Sequence, residues 1–236
     1  MATPTIRESV SAAASAAAAT VVTGAGTAVD DVLVCFGGND WYTAAGMGAP
    51  TGTAGTWTLE ATGDNGSNTA HIKAFTRAVT VGGAQTVTVS PIPDEEVYNS
   101  TIVLTGADTS APADGAAGGN GAASTSHVAP SVSPATSDAL LLCGAQSVGG
   151  GSGSAYTPPS GMTERTDVKD GTFAAQSVAS LVLAASGATG TKTFTFSQSQ
   201  AYATASVAVQ GASATASGSS GMPRPMVASV HQSSTP

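Results

Sequence analysis

The chain has 236 residues, of which 41% are hydrophobic and only 9% charged, with a formal net charge of -8. Seven scattered Lys and Arg against fifteen Asp and Glu lack the basic stripe that phosphate binding needs, which argues against nucleic acid as a partner. No run approaches the roughly 18–20 apolar residues of a membrane-spanning helix, so no membrane insertion is expected. The Ala-rich N-terminus makes a poor signal-peptide core, and two cysteines form no disulfide framework.

In chain order, residues 1–20 read as an N-terminal arm or a first strand. "DVLVCF" (31–36) is a continuous apolar run, the pattern of a strand covered on both faces. "GGND" (37–40) and Trp41-Tyr42 follow it as a loop. "GTWTLEATG" (55–63), "HIKAFTRAVTVGG" (71–83), "QTVTVS" (85–90) and "STIVLTGA" (100–107) are strand-length segments bounded by turn residues. The stretch 110–137, rich in Ala, Gly, Ser and Pro, reads as a long crossing loop or linker. Then come "DALLLC" (138–143), "GMTERTDV" (161–168), "SVASLVLAASGA" (177–188), "TKTFTFS" (191–197) and "ASVAVQGA" (205–212). In "TKTFTFS", Phe194 and Phe196 alternate with threonines, the period-two signature of a sheet with one dry face. From Ser213 to Pro236 the composition is that of a low-complexity arm.

These segments repeat. With Asp30 set against Asp138, Val32-Leu33-Val34-Cys35 falls on Leu140-Leu141-Leu142-Cys143, and four further segments follow in the same order. The expected fold is therefore all-β: a jelly-roll-like β-sandwich over 21–212, built from two pseudo-repeated halves (about 28–107 and 136–212), with extended arms at 1–20 and 213–236. Two like-patterned sheets would close a common core. Two tandem sandwiches are the alternative.

Chemistry-bearing residues are sparse. There is no "GxSxG" elbow, and His71, His127 and His231 fall in a strand, a loop and the tail with no pairing in their spacing. No catalytic residue and no cofactor is expected. Asp40, Asp64 and Asn68 are weak candidates for Ca²⁺ ligation, because loop oxygens can hold that ion; an Asx-type turn is the simpler reading. Cys35 and Cys143 sit in equivalent buried strands and read as small hydrophobes, with a mutual disulfide as the alternative. Trp41 and Tyr42 are candidate glycan-contacting rings on a loop, or plugs of the sandwich end. In the arm, Met222, Pro223, Pro225, Met226 and Val227 form the one apolar cluster, a natural anchor on a partner.

Over about residues 20–212, the order "DDVLVC … GTWTL … VTVS … STIVLTGAD … TPPSGMTER … AYATASVAVQGA" resembles a family of jelly-roll-like virion proteins of actinobacterial tailed phages. "TPPSGMTER" (157–165) and "AYATASVAVQGA" (201–212) carry it most specifically. Members often have a Gly-Trp pair where this chain has "GTW" (55–57) and "GM" (161–162), so an aromatic packing feature is altered. The resemblance implies a non-enzymatic structural component of a virion assembled in the bacterial host cytoplasm. It leaves the place in the particle open between tail and capsid; the first expectation is a minor tail protein exposed near the tail end, and the second a capsid decoration protein. A carbohydrate-binding module for host adsorption is the further alternative. The implied partners are other virion proteins, copies of the chain itself, and a host-surface glycan.

Overall fold

A computed structural model describes residues 2–40, 46–53, 55–66, 69–90, 95–149, 155–170 and 174–213, and among them there is no α-helix. Fourteen strands follow one another: β1 (Thr5–Ser15), β2 (Ala19–Val22), β3 (Val32–Asn39), β4 (Thr51–Gly52), β5 (Thr58–Asp64), β6 (His71–Ala78), β7 (Thr86–Val89), β8 (Glu96–Thr105), β9 (Ala113–Ala129), β10 (Leu140–Ser147), β11 (Tyr156–Thr157), β12 (Thr163–Asp170), β13 (Ala174–Val182) and β14 (Lys192–Val209). They form a five-stranded sheet, β1-β8-β3-β6-β5, and a three-stranded sheet, β2-β7-β4. The third sheet runs β11-β14-β10-β13-β12, with β9 also paired to β14. Every pairing between these strands is antiparallel. The fold is all-β, with several antiparallel sheets packed against one another as in a β-sandwich.

Alternate residues of β3 and β10 face different cores, which explains their unbroken apolar runs. Val32, Val34 and Phe36 meet Leu140, Leu142, Val178 and Val207 in a central core between the two large sheets. Leu33 and Cys35 point the other way, onto Val21, Val87 and Val89 of the three-stranded sheet. Leu141 and Cys143 likewise point away from the center, onto Tyr156, Phe194 and Phe196. The shared core expected from the sequence is present, and two outer cores accompany it. In β14, Phe194 and Phe196 are buried while the threonines between them are exposed, as the alternation requires. Its last residues are instead buried on both faces, because they lie in the middle of the large sheet between β9 and β10. Fully burying one such aliphatic or aromatic side chain is worth about 1.5–3 kcal/mol, so the three layers together dominate stability.

One reading is corrected. The stretch 110–137 is not a loop throughout: 113–129 is the seventeen-residue strand β9, and His127 lies in it. Of the two readings of the N-terminus, arm or first strand, residues 5–15 take the second, forming β1, which pairs with β8 along its length. The composition of β9 follows from its position. Asn65 Nδ2 donates to Gly121 O at 2.8 Å and Asn120 Nδ2 donates to Asp64 O, so β9 lies close against the edge strand β5. A Cβ at Gly118 would overlap the Thr62 carbonyl, and one at Gly63 would overlap the backbone of Thr204 and Gly119. Only a strand nearly free of side chains fits there.

Gly118→Ala is therefore expected to destabilise the protein by about 1–3 kcal/mol, the usual cost of overpacking, read from urea unfolding midpoints. Gly26→Ala, where an added methyl meets nothing within 4 Å, should leave the midpoint unchanged.

Candidate functional site

Several residues singled out in the sequence lie outside the described residues: Trp41, Tyr42, Asn68, His231 and the arm cluster Met222, Pro223, Pro225, Met226 and Val227. Of the proposed Ca²⁺ ligands, Asp64 is occupied locally. Its Oδ1 accepts Gly66 N–H at 2.8 Å, the Asx-type turn, and lies 3.0 Å from Nδ1 of buried His71.

Asp40 belongs to a different group. β3 ends at Asn39 opposite Val97 of β8, which brings Asp40 beside Glu95 and Glu96. One carboxylate oxygen from each lies within 4.8 Å of the others, with Asp40 and Glu95 buried and Glu96 half-buried. Asp40 Oδ1 accepts the Glu96 N–H at 3.3 Å. Desolvation, reinforced by the hydrogen bond and charge of Glu96 and by the charge of Glu95, pushes Asp40 up to about 8. Three such oxygens suit a hard divalent cation in donor chemistry, but crowding of acids alone does not make a site. Glu95 and Glu96 were missed in the sequence; the signal was "DEEV" (94–97) directly ahead of a strand.

The remaining chemistry-bearing side chains fasten layers together. His127 is fully buried and stacked on Tyr202, with ring centroids 4.3 Å apart. Its Nε2 is 2.9 Å from the Ser124 carbonyl, which can only accept, so Nε2 carries the proton. Nδ1 then accepts the Tyr156 hydroxyl at 2.8 Å. Burial lowers its pKa to about 4, keeping it neutral. The cysteines are free and buried, one in each outer core. Burial raises Cys35 to about 12 and Cys143 to about 11, so neither is a ready thiolate. Asn99, also buried, donates through Nδ2 to Ala19 O (3.1 Å) and Val87 O (2.9 Å), pinning β2 and β7 onto the large sheet. Arg77 reaches Gln85 Oε1 at 3.0 Å, donates to Thr53 O and lies 4.9 Å from the center of the Trp57 ring.

A surface cleft of about 190 Å³ opens between β5, β6 and the link that follows β8. Thr56, Thr58, Thr76, Thr80, Thr109 and Ser110 line it, a set of hydroxyls able to donate and accept hydrogen bonds.

Two pH effects of opposite sign follow. His127 is depressed from 6.5 to about 4, so the unfolded chain takes up the proton first. Its contribution is complete above about pH 6.5 and lost as pH falls toward 4. Asp40 is raised from 3.8 to about 8, so its contribution is present at low pH and lost as pH rises through 8. Melting temperatures across pH 4–9 should show Asp40→Asn more stable than the natural chain at pH 8.5, with the difference vanishing toward pH 4. Compared with known proteins, the chain matches no family model, no curated relative and no solved structure.

Proposed function

We propose that this chain is a non-enzymatic structural component of a tailed-phage virion, a minor tail protein exposed near the tail end. In this reading it is a jelly-roll-like sandwich built from two pseudo-repeated halves, and its C-terminal arm holds on to neighbouring subunits. The observation that carries the reading is where the most specific resembling segments lie. "TPPSGMTER" supplies the last residue of β11, a turn closed by Met162 N–H to Pro159 O at 3.0 Å, and the start of β12, with Met162 in an outer core. "AYATASVAVQGA" contains the buried end of β14, Tyr202–Val209. Pro159 and Met162 of the first segment and Tyr202–Val209 of the second are buried, which supports reading the likeness as one of architecture.

The duplication is supported by parallel geometry. The first large sheet runs β1-β8-β3-β6-β5, and the second runs β9-β14-β10-β13-β12, the same order once β1 is set against β9. Asp30 and Asp138, ahead of β3 and β10, share a left-handed backbone, with φ 70° and 59°. Register shifts fall at matching places, between Leu59 and Ala61 in β5 and between Glu164 and Thr166 in β12. Trp57 and Met162, where the family often has Gly-Trp, pack against the first and second outer cores. Within the first half, strand order 1-8-3-6 over 2-7-4 supports the jelly-roll part of the reading. The threonine-lined cleft favours a second reading, glycan contact during adsorption, since clustered hydroxyls match sugar hydroxyls.

Mass spectrometry and immunogold labelling of gradient-purified particles of the encoding phage test the proposal. The chain should co-purify in fixed stoichiometry with label on the tail. Its presence in the lysate but not in particles would contradict the proposal. A variant ending at Ser213 should be lost from particles; undiminished incorporation removes the arm's role.

A further inference from the structure

We infer that the turns 22–31 and 79–86 form the dock for this chain's own C-terminal segment, residues 222–227; the inference rests on the proposed role of the arm as a contact element. The two turns are zipped together along their length. Thr23 N–H donates to Gln85 O (2.9 Å), Gly83 N–H to Thr27 O (2.7 Å) and Asp30 N–H to Val79 O (3.1 Å). Beneath them Thr23 and Thr27 are buried and share a 2.8 Å hydrogen bond between their hydroxyls. Gln85 Nε2 closes the second turn on Val81 O and Gly83 O.

This braced platform nonetheless presents apolar side chains to water. Val22, Val29 and Val81 are 57%, 53% and 63% exposed, three of the five exposed large hydrophobics among the described residues. Lone exposed valines are ordinary; three on one pair of bonded turns mark a contact surface.

The occupant follows from where the chain leaves the sandwich. The end of β14 is tied to the end of β8 through the Ala107–Gly211 bridge and Ala212 N–H to Gly106 O at 2.8 Å. β8 ends beside the start of β3, which follows directly on the first turn. The arm thus departs from the platform's end of the molecule. The nine steps from Ser213 to Met222 span about 30 Å when extended, enough to bring "MPRPMV" (222–227) onto the valines of its own or an adjacent copy. Charge agrees. Residues 214–236 contain Arg224 and no acid, while exposed Asp30 stands on the platform itself, next to Val29.

The test is site-directed cross-linking in the full chain, where buried Cys35 and Cys143 do not compete. Val81→Cys combined with Met226→Cys should oxidise to a disulfide, within one chain or between copies, at least ten times faster than a control. The control combines Leu59→Cys, at a site on β5 that is also at least half exposed, with Met226→Cys. Val29→Lys should slow that cross-linking several-fold and raise hydrogen exchange at 226–230. Equal rates for the two pairs, or no change with Val29→Lys, overturn the dock. If particle incorporation persists in that case, the virion reading stands without it.

Discussion

Everything in this structure depends on the burial of β3 and β10 on both faces. A strand covered on one side only can alternate apolar and polar residues; one covered on both sides cannot. Val32 through Phe36 and Leu140 through Cys143 are all essentially inaccessible, and they join three cores into one stack. The inner faces fit closely because each contributes a glycine. Gly144 leaves the space that Phe36 and Ile72 fill, and Gly38 faces the side-chain amides of Gln146 and Gln176. Among the polar groups drawn into this layer, Gln146 Oε1 and both amide atoms of Gln176 have no hydrogen-bond partner, while Thr166 Oγ1 donates to Ser100 Oγ at 3.0 Å. A pair that crosses between sheets in this way is strengthened by the low polarity around it.

The same constraint decides what the reactive side chains do. A residue in an outer layer must tie that layer down, since a three-stranded sheet has little stability alone. Asn99 on Ala19, Arg77 on Thr53 and the His127–Tyr156 pair all act as such ties, each spanning more than twenty residues of chain. The chemistry of His127 and of the two thiols is muted by burial, and the surface cleft is lined largely by hydroxyls. That chemistry is suited to adhesion, which is why assembly on a particle is the function favoured here.

Much of the fold was legible in the sequence, and the misses have physical causes. "VLVC", "LLLC" and "TFTF" announced themselves because large side chains reveal periodicity and coverage. β9 was hidden, since "ADGAAGGNGAAS" has almost no side chains to alternate; its strand character comes from the ladder with β14, and its bareness from the close approach to β5. His127 was hidden with it. The Asp40 group was legible only by half: Asp40 could be picked out locally, whereas Glu95 and Glu96 reach it through the β3–β8 pairing, over fifty residues along the chain. The Asx turn at Asp64 was readable in "TGDNG", because that interaction closes within three residues.

The central claim is that the shared inner layer makes the two large sheets one cooperative unit. Both tryptophans lie in the first half of the chain, so their fluorescence reports that half, while far-UV circular dichroism reports all strands. The most direct measurement is urea unfolding of Leu142→Ala, which opens the central core from the second half at a cost of about 2–5 kcal/mol. The account predicts that fluorescence and dichroism midpoints coincide and shift down together. A tryptophan transition that stays where it was while the dichroism signal moves would contradict it.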